Sequence, residues 1–182
     1  MSGQVIVLDR DGVINQDSDE YIKSADEWVP IKGSLEAIKR LNKAGYQVAV
    51  ASNQSGIARG YFDAASVQAM HDKMQGLLAQ RGAAVDFIVY CPHGPTDNCL
   101  CRKPKPGMLL QIAQHFDVKP GQMIFVGDAI GDVQAARMAG VTPVLVKTGK
   151  GLKTLAKLAN DDAVAVYDDL AHFVRHLTRK KA

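Results

Sequence analysis

The segment Val5-Ile-Val-Leu-Asp9-Arg-Asp11-Gly12 opens with four apolar residues, three of them β-branched, and closes on two acids and a glycine. A short uninterrupted apolar run of this kind is the pattern of a strand buried on both faces. In extended chain, residues two apart point the same way, so Asp9 and Asp11 are expected on one side of the strand's carboxyl end, with Arg10 pointing elsewhere. Two anions so placed need a cation, and Mg²⁺, a hard ion that favours carboxylate oxygens and is commonly shared with a phosphate, suits them. Gly12 permits a sharp turn away. Taken alone, the tetrad is also compatible with a polar turn after a strand.

Working outward, further strand-like runs fall at 46–51, 85–90, 123–126, 141–146 and, weakly, 163–166. Helix-period segments lie between them at 34–44, 63–81, 107–116, 131–139 and 168–179. Ser34 and Asp63 are candidate N-caps, and Gly45, Gly82 and Gly140 stand where helices end. Strict strand–helix alternation predicts an α/β fold of three layers, a Rossmann-like parallel sheet with helices on both faces. Such sheets bind ligands at the carboxyl ends of their strands, near the point where strand order reverses. The two long loops, 15–33 and 91–107, both follow strands and should overhang that end. No insertion is large enough for a separate cap domain, and residues 1–182 are expected to form one domain.

The ends of the later strands carry matching chemistry. The second offers Ser52 and Asn53, the fourth Asp128, and the loop after the third Arg102 and Lys103. A hydroxyl and an ammonium suit phosphoryl oxygens, and a further carboxylate suits the cation. Asp132, one helical turn on, is either support for the cation's surroundings or a helix-surface acid. The same loop holds all three cysteines: Cys91, His93, Cys99 and Cys101 are the number and type of ligands of a closed tetrahedral zinc site. A redox pair at Cys99 and Cys101 is the alternative. With no open coordination position, zinc there would be structural, fixing loop 91–103.

Composition excludes several classes. Lys and Arg exceed Asp and Glu by 22 to 19, a net charge of +3, too mild and too evenly spread for a nucleic-acid binder. Only Arg175, Arg179, Lys180 and Lys181 cluster, as a solvated helix end would. No apolar run approaches a membrane span, and Met1-Ser-Gly-Gln4 has no basic leader, so a cytoplasmic protein is expected, a monomer by default. His71, His115, His172 and His176 read as ordinary helix residues, Trp28, Met70 and Met74 as packing, and Gly149-Lys150-Gly151 as a plain loop.

The series Asp9-Arg-Asp-Gly12, Ser52-Asn53, Lys103 and Gly127-Asp128 resembles the four motifs of the haloacid dehalogenase-like phosphatases. The longer stretches Asp9-Arg-Asp-Gly-Val-Ile-Asn15, Ser52-Asn-Gln-Ser-Gly-Ile-Ala-Arg-Gly60, Cys91-Pro-His93 and Cys99-Leu-Cys-Arg-Lys-Pro-Lys-Pro-Gly-Met108 are similar to the branch that removes the 7-phosphate of heptose 1,7-bisphosphate, with histidinol-phosphate phosphatases next to it. That resemblance, over residues 4–150, implies a Mg²⁺-dependent sugar-bisphosphate phosphatase serving nucleotide-activated heptose synthesis. Asp9 would be the nucleophile, Asp11 the general acid and base, with a carboxyl that can be held protonated. Ser52 and Lys103 would stabilise the phosphoryl group. Mg²⁺ would be held by Asp9, Asp128 and the backbone carbonyl of Asp11. Substrate would be met by Asp17, Tyr21, Asn53, Gln54, Ser55 and Arg102. Ala129 stands where some relatives carry a substrate-contacting lysine. A phosphoacceptor signalling domain would share the Asp, the hydroxyl and the lysine, but would have no use for Asp11 or the zinc loop.

Overall fold

In the computed structural model, which describes residues 5–158 and 163–179, β1 (Val5–Leu8) lies inside a six-stranded sheet with none of its four residues exposed. The other strands are β2 (Gln47–Asn53), β3 (Phe87–Cys91), β4 (Met123–Gly127), β5 (Thr142–Val146) and β6 (Ala165–Tyr167). All neighbours are parallel, in the order β3-β2-β1-β4-β5-β6. The chain builds outward from β1 through β2 to β3, then crosses back to β4 on the other side. Strand order therefore reverses between β1 and β4, whose register sets Leu8 against Val126. Asp9 and Asp128 emerge side by side at that reversal.

Among the described residues six α-helices cover the sheet: α1 (Ser34–Lys43), α2 (Ala64–Ala79), α3 (Gly107–His115), α4 (Ile130–Ala139), α5 (Gly151–Lys157) and α6 (Leu170–Arg179). Period-two alternation divides the core. Ile6 and Leu8 pack with Ile38 and Leu41 of α1, Met70 and Met74 of α2 and Phe173 of α6, whereas Val5 and Val7 face Met108 and Ile112 of α3 and Ala135 of α4. Each such side chain, fully buried, contributes roughly 1.5–3 kcal/mol. Trp28, fully buried in the first cluster, ties loop 15–33 to the body. That loop carries only turns and isolated bridges, and among the described residues no separate cap domain stands over the sheet.

Local chemistry explains where the boundaries depart from expectation. Asp63 caps α2, accepting from the Ser66 N–H at 2.8 Å. Ser34 does not cap α1, because its hydroxyl donates to the Ile14 carbonyl at 2.6 Å; the cap position falls on Gly33, at φ 87°. The unforeseen α5 has seven residues, too few turns for an apolar period to stand out. The weak run at 163–166 becomes β6, displaced by two residues at its start. Residues 1–4 of the leader argument and Lys180 and Lys181 of the basic tail lie outside the described residues. Among the described residues no helix is long and apolar enough to cross a membrane.

Candidate active site

The chain leaves extended conformation as soon as β1 ends. The N–H groups of Val13, Ile14 and Asn15 all turn back to the Arg10 carbonyl, and Gly12 takes φ 84°. This turn lets the Arg10 side chain reach the carboxylate of its neighbour Asp11, a contact that strand alternation alone does not predict, while Asp9 and Asp11 still line one cavity. The Arg10 side chain, fully buried, forks onto Asp11 through Nε (3.0 Å) and Nη2 (3.1 Å). Asn15 Nδ2 (2.8 Å) and Gln54 Nε2 (3.1 Å) complete four donations to that carboxylate.

Asp9 turns the other way. Its Oδ1 accepts the Arg10 N–H at 2.7 Å and its Oδ2 meets Lys103 Nζ at 2.9 Å. Lys103 also pairs with Asp132 at 2.7 Å, donates to the Ala51 carbonyl at 2.9 Å and lies over the Phe125 ring. Asp132 is thus part of the site rather than a helix-surface acid, and its Oδ2 accepts the N–H groups of Asp128 (3.1 Å) and Ala129 (2.9 Å). Carboxylate oxygens of Asp9, Asp128 and Asp132 all lie within 4.8 Å of one another.

Three buried carboxylates around one ammonium are short of positive charge, and their protonation equilibria show it. Burial, then Asp132 and Asp128, pushes Asp9 well above the usual carboxylate range, against Lys103. Burial and Asp132 push Asp128 up to about 7. Burial opposes the ammonium of Lys103, but Asp132 and Asp9 outweigh it and raise its pKa. A divalent cation between Asp9 and Asp128 would relieve the excess, and the all-oxygen donor set fits Mg²⁺. For Asp11, burial favours protonation, but the Arg10 guanidinium and the bonds from Arg10, Asn15 and Gln54 hold its carboxyl below the ordinary value. Free of substrate, the surroundings of Asp11 thus favour a carboxylate with four donors.

Two glycines complete the seat of Asp128. A Cβ on Gly12 or on Gly149 would run into its carboxylate. Thr148 Oγ1 donates to the Gly12 carbonyl at 2.6 Å, and the Lys150 N–H donates to Asp128 Oδ2 at 2.7 Å. The Gly149-Lys150-Gly151 segment is accordingly part of the site and not a plain loop, and Lys150 Nζ reaches Asp17 at 3.3 Å.

These groups surround a cavity of about 340 Å³. Asp9, Asp11, Lys103 and Asp128 form its floor, with Asp17, Tyr21, Asn53, Gln54, Ser55 and Arg102 on its walls. Ser52 is buried behind Gln54, whose Nε2 donates to its Oγ at 2.8 Å. Sequence reasoning missed Arg59 and Lys150 as wall residues. Arg59 lies seven residues beyond Ser52 in a motif already singled out, which was the available signal; Lys150 offered none.

The cysteine loop closes on itself as expected. Cys91 Sγ lies 3.1 Å from Cys101 Sγ, 3.7 Å from Cys99 Sγ and 3.5 Å from His93 Nδ1, which is 3.3 Å from Cys101 Sγ. A tetrahedral zinc with bonds of ~2.3 Å to sulfur has ligand edges of about 3.8 Å, so one ion fits with small adjustments. The loop also positions two residues that line the cavity. Arg102 donates its N–H to Cys99 Sγ (3.4 Å) and Nη1 to the His93 carbonyl (3.2 Å). Asn53 and the Lys103 backbone exchange two bonds of 3.1 Å, fastening the loop's end to β2.

The sheet topology, the carboxylates at its switch point and the buried lysine agree with a family model that matches residues 3–140, described as a haloacid dehalogenase-like hydrolase. The chain belongs to the haloacid dehalogenase-like hydrolases. Within that family it is 58% identical, over 94% of its own length and 96% of the relative's, to the D-glycero-beta-D-manno-heptose-1,7-bisphosphate 7-phosphatase of Pseudomonas aeruginosa. It is 39% identical to that of Escherichia coli over 93% of each chain. The crystal structure of the Bordetella bronchiseptica D,D-heptose 1,7-bisphosphate phosphatase complexed with magnesium and phosphate superposes with a TM-score of 0.94, at 51% identity over 97% of this chain and 99% of that one.

Proposed function

We propose that this chain is a Mg²⁺-dependent phosphatase that removes the 7-phosphate of D-glycero-β-D-manno-heptose 1,7-bisphosphate. The observation that carries the reading is a Lys103-held Asp9 at the sheet's switch point, in a chain 58% identical to a relative with that activity in its name. The β anomer follows from the relatives' names.

Asp9 attacks phosphorus through the oxygen not engaged by the Arg10 N–H, and the P–O bond to the sugar breaks as the aspartyl-phosphate forms. Lys103 keeps Asp9 ionised and aimed, and with Ser52 takes up charge on the phosphoryl oxygens. Mg²⁺, held by Asp9, Asp128 and the Asp11 carbonyl, would supply the charge neutralisation that lets an anion approach a phosphate. Asp11 protonates the leaving sugar oxygen and then takes the proton of the water that hydrolyses the intermediate. As a carboxylate with four donors it begins in the base form, and the charge of the incoming phosphate favours its protonation. Zn²⁺ on Cys91, His93, Cys99 and Cys101 would hold Arg102 and Lys103 in place.

Asp17, Tyr21, Asn53, Gln54, Ser55 and Arg102 line the wall where the sugar and its second phosphate would lie. In this reading residues 1–182 work as one domain, a cytoplasmic monomer acting on a diffusible sugar bisphosphate. The test is Mg²⁺-dependent phosphate release from the α and β anomers and from histidinol phosphate, with Asp9→Asn as blank. Preference for the β heptose supports the proposal, and preference for histidinol phosphate overturns the substrate while keeping the chemistry.

A further inference from the structure

Beside Asp11 lies buried polar chemistry that the reaction above leaves unused. Among the described residues four buried side-chain atoms have no hydrogen-bond partner: Arg10 Nη1, His71 Nε2, Asn15 Oδ1 and Trp28 Nε1. Two are donors, Asn15 Oδ1 is an acceptor, and His71 Nε2 is whichever its tautomer makes it. Arg10 has spent Nε and Nη2 on Asp11, so Nη1 alone is left to fix the far side of its fork.

His71 comes from α2, yet it is no surface helix residue. It is 4% exposed and meets Tyr90 edge-on, with ring centroids 5.9 Å apart. Burial, and after it the charge of Arg10, bring its pKa down to about 4. The imidazole is therefore neutral at physiological pH, with one ring nitrogen free to accept, and it sits near enough to feel the guanidinium. The rival acceptor, Asn15 Oδ1, belongs to an amide already oriented by its donations to Asp11 and the Gln16 carbonyl.

We propose that His71, as its Nδ1–H tautomer, accepts at Nε2 from one bridging water that in turn accepts the Nη1–H of Arg10, and is thereby a positioning residue for Asp11. His71 touches no substrate. It holds the guanidinium, and the guanidinium fixes both oxygens of the carboxylate that must line up with the leaving oxygen and later with water. The inference rests on the proton-transfer role given to Asp11 above.

The test uses the full chain with His71→Gln, whose Oε1 can still accept, and His71→Leu, which cannot. Expected for His71→Leu is a kcat about tenfold lower, a fraction of the 10²–10⁴-fold supplied by a well-placed proton donor, with KM and the Mg²⁺ requirement unchanged. His71→Gln should stay within about twofold of the parent, whatever either variant does to Tm. In parallel, side-chain ¹⁵N NMR of the parent should show His71 Nε2 as a hydrogen-bonded acceptor that becomes a free one in Arg10→Lys. A His71→Leu enzyme that loses Tm but keeps kcat, or a protonated Nε2, overturns the proposal. If the parent releases no phosphate from heptose bisphosphate, the functional reading falls instead, and the NMR result alone decides the Arg10–His71 contact.

Discussion

Replacing Lys103 by Met removes the one ammonium among Asp9, Asp128 and Asp132 while keeping most of the hydrocarbon that packs on Phe125. Lys103 is 5% exposed and holds two carboxylates at 2.9 and 2.7 Å, so the variant leaves buried charge uncompensated. Breaking a buried ion pair in this way costs about 3–5 kcal/mol, against a total stability of about 5–15 kcal/mol for an ordinary domain. The variant should fold, with that loss, in urea titrations at pH 8 in magnesium-free buffer, without a chelator that would strip the zinc loop. The loss should shrink toward pH 5. Asp9 and Asp128 titrate above the unfolded value, so the folded state gains protons first, and what Asp128 contributes to stability in this way is full below about pH 4 and gone above about 7. Phosphate release should fall by 10²-fold or more, as when a donor to a developing oxyanion is removed. A stability loss under about 1 kcal/mol at pH 8, or one that does not change between pH 8 and pH 5, would refute the view that Lys103 balances this carboxylate cluster.

Asp9→Asn should abolish phosphate release, since an amide cannot form the aspartyl-phosphate, and Asp11→Asn should slow it by roughly 10²–10⁴-fold; both are read in a continuous phosphate assay. Cys99→Ala should cost the protein its copurifying zinc, one equivalent in the parent by elemental analysis, and should lower Tm more than it alters kcat per folded molecule. Gly149→Ala should raise the Mg²⁺ concentration for half-maximal activity by tenfold or more, because φ of 56° strains an alanine and its Cβ meets the Asp128 carboxylate. Unchanged magnesium dependence in that variant would mean that Asp128 can move without loss.

Much of this site was legible because its residues sit at the ends of strands that announce themselves. A β-branched run followed by Asp9, Ser52 or Asp128 is a local pattern, and parallel topology brings all such ends to one edge. The zinc ligands were legible for a similar reason, since four ligating side chains fall within eleven residues. What escaped was non-local. The fork of Arg10 onto Asp11 escaped because it depends on the turn in which the N–H groups of residues 13–15 fold back to the Arg10 carbonyl. Lys150 was missed because its role depends on a turn after β5 meeting the turn after β1, a contact between residues 136 apart at Thr148 and Gly12. His71 was read as an ordinary helix residue because the period of α2 does not show that its ring is buried against Tyr90.

The two acids of the Asp-x-Asp pair are set apart by their neighbours rather than by their spacing. Asp9 is raised by burial and by two like charges, with one lysine against them, so an arriving cation favours its ionised form. Asp11, only partly buried, has a guanidinium and two amides that favour its ionised form before any cation or substrate is present. The arrangement divides the work: the group that must be a nucleophile is tuned by the same ion that draws the phosphate in, and the group that must exchange protons is held by protein donors alone. A cation between Asp9 and Asp128 would therefore work alongside Lys103 in favouring the ionised Asp9, so that magnesium supports nucleophilicity as well as binding.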